Sequence, residues 1–351
     1  MQLGFYRAVA RLNHYLCLMA TTLSILMPVR DAGAFLEACL KSIRGQSFKD
    51  WELIAVDDGS KDDSMRILHE FSEEDERIRV YRQAALGIIP ALRLAFKQSR
   101  GSLLTRMDAD DLMHPEKLKA LVAAAKQYGP GHIITGHVQY FHAKELGDGY
   151  RRYANWLNGL KDGRWPEVYR ECVIPSPCWL MHRDDLIRAG AFDSDEYPED
   201  YDLCFRCMAS GLKVRYAPQA IHLWRDHPER SSRNDPNYAD NRFLHLKLHY
   251  FLQLSNDKNR ELILWGAGKK GKWIARNLKQ KNVSFSWISN NPEKVGKEIY
   301  DRRILPEPSI WDNFKSKQLI IAIASPDDQK VIINKLTKAN LSSGEDYFFF
   351  A

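Results

Sequence analysis

Leu103-Leu104-Thr105-Arg106-Met107-Asp108-Ala109-Asp110-Asp111 ends an apolar run in three carboxylates within four positions. Burying unpaired carboxylates is prohibitive, so these acids belong where a strand leaves its sheet, facing solvent or a cation. There an Asp-x-Asp can give a carboxylate oxygen to a hard divalent ion such as Mg²⁺ or Mn²⁺ and leave sites for phosphate oxygens. Alone, the run reads at least as well as an acidic turn capping a helix that starts near His114-Pro115. It is not alone. Trp51-Glu52-Leu53-Ile54-Ala55-Val56-Asp57-Asp58-Gly59-Ser60 repeats the design, and Leu23-Ser24-Ile25-Leu26-Met27-Pro28-Val29-Arg30-Asp31 is a third apolar run ending in an acid.

Each run is followed by a helical pattern: Phe35, Leu36, Cys39, Leu40 and Ile43; then Met65, Ile67, Leu68 and Phe71; then Ile89, Leu92 and Phe96. Strand–helix alternation predicts a parallel sheet, and such sheets bind ligands beyond the carboxyl ends of their strands. Three acidic strand ends on one edge predict one site for nucleotide and metal.

From about Leu23 to about Tyr238 the chain resembles an inverting family 2 glycosyltransferase of the GT-A type. The resemblance rests on Met27-Pro28-Val29-Arg30-Asp31, Val56-Asp57-Asp58-Gly59-Ser60, Arg106-Met107-Asp108-Ala109-Asp110-Asp111 and Pro198-Glu199-Asp200-Tyr201-Asp202-Leu203, in that order and spacing. It implies a donor-binding set of Pro28, Asp31, Asp58, Arg106, Asp108 and Asp110, with Asp31 and Asp58 on the base and ribose. It implies a divalent metal, Mg²⁺ or Mn²⁺, held by Asp110 with Asp108 and His227. The donor is then a nucleotide-sugar and the acceptor a saccharide or a lipid-linked hydroxyl compound. One departure stands in the helix before the Asp-x-Asp strand, where the family often carries Asn and this chain reads Ala91-Leu92-Arg93-Leu94.

Glu199-Asp200-Tyr201-Asp202 opens a helix after Pro198. Acids in a first helical turn are commonly dipole partners. In the family context the pair supplies the base that takes the acceptor's proton. Asp200 is the expected base, Asp202 its rival, and Glu199 an acceptor-orienting group. His222 to Arg233 reads as a loop after the strand Lys213–Ala217, and its Arg225 and His227 match an Arg-x-His segment that closes over the diphosphate in family members. The stretch from Gly147 to Pro177 reads as irregular. Its Tyr150, Tyr153, Trp156, Trp165 and Tyr169 suit either sugar stacking or a packing cluster. Trp179 is an expected acceptor contact.

A second domain follows. A helix over Tyr238–Leu254 leads to a polar linker. Then Glu261-Leu262-Ile263-Leu264-Trp265 runs into Gly266-Ala267-Gly268-Lys269-Lys270-Gly271, a Gly-x-Gly-x-x-Gly turn that allows close approach of a phosphate to a helix N-terminus. The acid expected at the end of the second strand is missing: Ser289, Asn290 and Asn291 stand there. This predicts a Rossmann-like unit without tight NAD binding, serving as a docking module or for another ligand.

The expected organisation is an α/β chain: an N-terminal extension over 1–22, a GT-A domain with a mostly parallel central sheet over 23–237, a connecting helix and linker over 238–258, and a smaller Rossmann-like domain over 259–351. The extension carries Leu3, Phe5, Tyr6, Val9, Leu12, Leu16 and Leu18 with Arg7 and Arg11, and suits either a membrane-surface helix or a start at Met19, the preferred reading. From residue 259 on there are 16 Lys and Arg against 10 Asp and Glu, an excess equal to the whole chain's +6. That excess suits anionic lipid or phosphate, or a lysine-rich soluble surface. No nucleic-acid motif or basic helix run is present. The six cysteines lack paired metal spacing and read as core residues of a reducing cytoplasm. No apolar run is long enough to span a bilayer. The expected activity is metal-dependent inverting transfer in bacterial cell-surface polysaccharide or lipopolysaccharide synthesis, in the cytoplasm or peripheral on the inner membrane. The rivals are a non-catalytic nucleotide-sugar-binding protein and a Rossmann-type oxidoreductase.

Overall fold

The computed structural model describes residues 22–141, 147–228, 230, 243–311 and 314–351. The sequence expectations for the N-terminal extension, and for Ser231 to Arg242, lie outside the described residues. The chain divides into two compact units. The first runs to Asp162 and again from Ile174 to Pro228; the second comprises Gly163–Val173 and Glu229–Ala351.

In the first unit the elements are β1 (Leu23–Val29), α1 (Gly33–Arg44), β2 (Trp51–Asp58), α2 (Ser64–Glu74), β3 (Ile78–Gln83), α3 (Ile88–Gln98), β4 (Leu103–Arg106), β5 (Leu112–Met113), α4 (Lys117–Tyr128), β6 (His132–Phe141), α5 (Asp148–Gly159), β7 (Trp179–His182), α6 (Arg183–Arg188), α7 (Glu199–Ala209) and β8 (Lys213–Arg225). The sheet order is β3-β2-β1-β4-β7-β6-β8-β5. The first four strands are mutually parallel. β7 then runs antiparallel to both β4 and β6, β8 is parallel to β6, and β5 is antiparallel to β8. The sheet is therefore mixed, with its parallel half at the acidic strand ends.

The local reasons are plain. β2 is buried along its whole length, as a strand covered by helices on both faces must be. α1 buries Leu36, Cys39, Leu40 and Ile43 on one stripe. These join Leu23, Ile25, Leu53 and Leu68 in the main core. The chain must turn sharply where the strands end: Asp31 has φ +47° and Gly59 φ +71°. A Cβ on Gly59 would stand 2.9 Å from the Ala85 backbone nitrogen, so the turn after β2 admits only glycine without a shift.

Two sequence readings need correction. The stretch after Gly147 is not irregular throughout, since α5 spans Asp148–Gly159. Its Ala154 and Leu157 pack with Val138, Cys178 and Trp224, and the Tyr153 ring stacks on Trp224 at 6.1 Å. Tertiary packing carries this helix despite its glycines. Likewise His222–Arg225 belongs to the long strand β8, not to a loop. Pairing with β6 continues past an irregularity between Thr135 and His137 and ends at Phe141 opposite Arg225.

The second unit contains α8 (Phe243–Leu254), β9 (Glu261–Trp265), α9 (Lys269–Gln280), β10 (Ser286–Ser289), β11 (Glu298–Ile299), β12 (Arg302–Pro306), β13 (Lys317–Ile321), α10 (Pro326–Lys338) and β14 (Tyr347–Phe349). Its sheet order is β11-β12-β10-β9-β13-β14. All pairs but β11–β12 are parallel. Leaving out the short β11, that is third-second-first-fourth-fifth, the order of a Rossmann-like sheet. Gly266 takes φ +122°, and Gly271 lies so close that a Cβ would stand 1.9 Å from the Gly266 carbonyl oxygen; Gly268 is the residue before α9. At the end of β10, the Asn290 side-chain amide oxygen accepts the Trp265 indole N–H at 2.8 Å, where a dinucleotide-binding fold needs a carboxylate for the ribose. Calorimetry of the full chain with NAD or NADP is expected to show no micromolar binding; a micromolar affinity would count against this reading. Among the described residues no helix is long and apolar enough to cross a membrane.

Candidate functional site

The carboxyl ends of β1, β2 and β4 lie side by side, and each delivers an acid. At β1, the Asp31 N–H donates to Ser60 Oγ at 2.9 Å and its carboxylate accepts from the Lys61 N–H at 2.8 Å. This ties the turn after β1 to the turn after β2. Pro28 sits one residue before the end of β1, half-buried. At β2, the buried Asp58 carboxylate accepts from Gln83 Nε2 at 2.7 Å and from the Leu86 and Gly87 N–H groups at 2.8 and 2.9 Å. Arg30 lies 3.4 Å away. Asp58 thus clamps the loop that enters α3, a task the sequence did not reveal. Arg93, at the departure from the family pattern, donates from α3 to the carbonyls of Phe192, Asp193 and Ser194 and to the Asp195 carboxylate. It pins the loop leading towards α7.

Beyond β4 the acids divide into two groups. Asp108 and Glu199 share one guanidinium: Arg106 Nε donates to Asp108 at 2.9 Å and its Nη1 to Glu199 at 2.7 Å. Burial works against the Arg106 charge, but Asp108, Glu199 and Asp200 around it outweigh that and hold its pKa above the ordinary value. Asp200 stands next to this group, half-buried, and accepts the Tyr201 N–H at 2.8 Å. Burial pushes its carboxyl up and Glu199 adds to that, against the pull of Arg106; the net position is about 7. Arg106, Glu199, Asp200, Ser176 and Trp179 line a cavity of about 20 Å³. That is room for about one water molecule. Trp179 is itself buried, and its carbonyl accepts the Thr105 hydroxyl.

The second group is Asp110 with the end of β8. His227 Nε2 lies 3.0 Å from Asp110 Oδ2, and Arg225 Nε donates to the Asp110 carbonyl at 2.7 Å. Phe35 of α1 supports both partners, 4.5 Å from the His227 ring and 5.0 Å from the Arg225 guanidinium. Among the described residues, His227 Nδ1 is buried without a hydrogen-bond partner. The Asp110 carboxylate therefore takes the ring proton on Nε2, and Nε2 could ligate an ion at Asp110 only after that proton is lost or moves to Nδ1. One carboxylate and one imidazole suit a hard divalent ion whose other ligands are phosphate and water. Asp108 is the weaker candidate ligand, because Arg106 occupies its Oδ1. Among the described residues no three His, Cys, Asp or Glu side chains are gathered into a ready-made cage.

Asp202 stands apart from both groups. It is 1% exposed, and Arg206 Nε donates to it at 2.7 Å. Asp202→Asn is expected to lower stability by about 3 kcal/mol and to leave turnover per folded molecule nearly unchanged, as chemical unfolding paired with kinetics would report.

Three further residues beneath the site are absent from the sequence candidates. Asp111 Oδ2 lies 2.9 Å from His222 Nε2, and Lys117 Nζ lies 2.8 Å from His222 Nδ1 and 2.6 Å from the Pro177 carbonyl. Desolvation lowers the Lys117 pKa, with Cys178 and Asp111 opposing it. The available signal was helical phase: Lys117, Leu121 and Ala125 share one buried face of α4, where a lysine is anomalous.

The family model for glycosyl transferase family 2 matches residues 24–190. The chain is 31% identical over 212 residues to glycosyltransferase GlyA of Streptococcus pneumoniae serotype 4, covering 58% of this chain and 30% of that protein. It is 33% identical over 217 residues to the uncharacterized glycosyltransferase EpsJ of Bacillus subtilis, covering 60% and 62%. The chain thus spans less than two thirds of the length of these curated relatives. Among solved structures, Staphylococcus aureus TarS 1-349 in complex with UDP-GlcNAc superposes with a TM-score of 0.53 at 15% identity, covering 73% of this chain and 71% of that one. Mannosyltransferase PcManGT from Pyrobaculum calidifontis, in complex with GDP-Man and Mn²⁺, gives 0.51 at 17% identity, covering 66% and 63%. The first unit therefore has a GT-A-like fold, and the chain carries a second, smaller α/β unit.

Proposed function

We propose that this chain is a metal-dependent, inverting glycosyltransferase that moves a sugar from a nucleotide-diphosphate donor to a hydroxyl of a saccharide or lipid-linked acceptor. The observation that carries the reading is the pairing of the two acid groups at one sheet edge. Asp110 with His227 and Arg225 suits a diphosphate and its ion. Asp200 beside the Arg106–Glu199 pair suits a base. Asp31 and Asp58, at the neighbouring strand ends, would take the nucleoside. The relatives' names and the nucleotide-sugars in the TarS and PcManGT complexes support the donor class.

In this reading the acceptor hydroxyl oxygen attacks the anomeric carbon while Asp200 takes its proton. The bond from that carbon to the diphosphate oxygen breaks, and the electron pair leaves with the nucleoside diphosphate. Attack from the face opposite the leaving group inverts the anomeric centre. Arg106 holds Glu199 and Asp108 in place beside the base. A bound divalent ion would supply charge neutralisation for the leaving diphosphate, held by Asp110 and His227 with Asp108 close by. The setting we propose is bacterial cell-surface polysaccharide or lipopolysaccharide synthesis at the cytoplasmic side of the membrane, which follows from the family resemblance.

A panel of UDP-, GDP- and dTDP-sugars with Mn²⁺ and mixed saccharide acceptors tests it. Nucleoside diphosphate release coupled to a glycosylated product is expected with at least one donor. Tight donor binding with no product across the panel would favour the non-catalytic binding protein instead.

A further inference from the structure

The buried Asp111, His222 and Lys117 come from three elements: the turn between β4 and β5, strand β8, and the first residue of α4. All three side chains are at most 1% exposed. As an ammonium Lys117 donates only, and His222 Nδ1 then accepts from it at 2.8 Å. The ring proton of a neutral imidazole is then on Nε2 and points to Asp111 Oδ2 at 2.9 Å. An ammonium and a carboxylate therefore face each other through a neutral ring.

The ends of this relay reach both sides of the site. Lys117 donates to the Pro177 carbonyl at 2.6 Å, in the segment whose Ser176 and Trp179 line the cavity with Asp200. Asp111 Oδ1 accepts the Arg225 N–H at 2.8 Å, and the Arg225 guanidinium holds the Asp110 carbonyl. Apolar side chains of similar volume would hold three elements together at least as firmly as buried charge. What the relay adds is direction: it fixes the Pro177 carbonyl at one end and the Arg225 main chain at the other.

Resting on the glycosyltransferase reading, we propose that Lys117, His222 and Asp111 are positioning residues that set the distance between the diphosphate-binding group, Asp110 with Arg225, and the wall beside the base. None of the three touches a reacting atom. Their loss should show in the kinetics of folded enzyme as well as in its stability.

The test uses two full-length variants. Lys117→Met removes the cation and keeps the buried Asp111 carboxylate; Lys117→Met/Asp111→Asn removes both charges. Unfolding midpoints, kcat, and KM for donor, acceptor and Mn²⁺ are measured for each. The expected result for the single variant is a loss of stability with a donor KM raised about tenfold. The expected result for the charge-balanced double variant is recovered stability with the kinetic defect unrelieved. A scaffold role predicts the opposite, with the double variant regaining wild-type kinetics along with stability, and that result would overturn the proposal. Wild-type kinetics in the single variant would overturn it too, as would failure of both variants to fold, which would make the residues core supports. A wild-type chain with no transfer under any donor would instead remove the functional reading on which the proposal rests.

Discussion

Asp200→Asn is expected to cut turnover about a hundredfold or more while donor binding survives. The substitution keeps size and one acceptor oxygen, so the Tyr201 N–H contact can persist. It removes the only change that matters for a base, the capacity to take a proton. The pH profile adds an independent reading. With the free carboxyl pushed up to about 7, kcat/KM of the wild type should fall below that pH and level off above it. Stability should move the other way. A carboxyl whose folded pKa lies above its unfolded value contributes stability in its neutral form, fully present below about pH 4 and lost as pH rises through about 7. Asn cannot ionise. The variant should therefore unfold at a higher temperature than wild type at pH 8, with the gap closing towards pH 5. Turnover equal to wild type, or a retained anomeric configuration by NMR, would remove Asp200 from the mechanism.

Chelator is expected to abolish transfer, and Mn²⁺ or Mg²⁺ to restore it. Asp110→Asn should abolish transfer at any metal concentration that leaves the protein soluble. His227→Gln should be milder, weakening the apparent metal affinity about 10- to 100-fold, because Asp110 remains. The binding readout is calorimetry with Mn²⁺ and a nucleoside diphosphate, which needs no turnover. The fold should be unaffected in both variants, since Asp110 and His227 are only partly buried. Full activity in excess chelator would show that Arg225 and His227 alone carry the diphosphate charge.

The sequence showed the parallel half of the sheet because fully buried strands leave no ambiguity. An apolar run that must shed its charges at one end marks both the strand and the edge where ligands bind. Asp31, Asp58 and Asp108 could be located that way. Their partners could not. Arg106 bridges Asp108 to Glu199, 93 positions along the chain, and Asp111 meets His222 across 111 positions; such pairings follow from strand order, which local pattern does not encode. β8 was cut short in the sequence reading because its charged and aromatic residues look like loop chemistry. Pairing with β6 satisfies that backbone and buries His222 and Trp224. Helix α5 was hidden by flanking glycines, although Ala154 and Leu157 keep helical phase.

The excursion of Gly163–Val173 into the second unit has a consequence for synthesis. Tyr169 packs in that unit's aromatic cluster, with Phe251 and Phe348 edge-on and Phe350 stacked at 5.5 Å. Phe350 is translated 181 residues after Tyr169. At ordinary ribosomal speeds that is a wait of roughly 10 to 40 s, in the course of which the last strands of the first unit, β7 and β8, are also made. Tyr169 lacks its Phe348 and Phe350 partners on the nascent chain until those residues emerge, long after Phe251. A gene split at Pro228 would therefore yield one fragment with an orphaned aromatic segment and another with a gap in its core, and co-expression of the two pieces, not either alone, should return soluble protein.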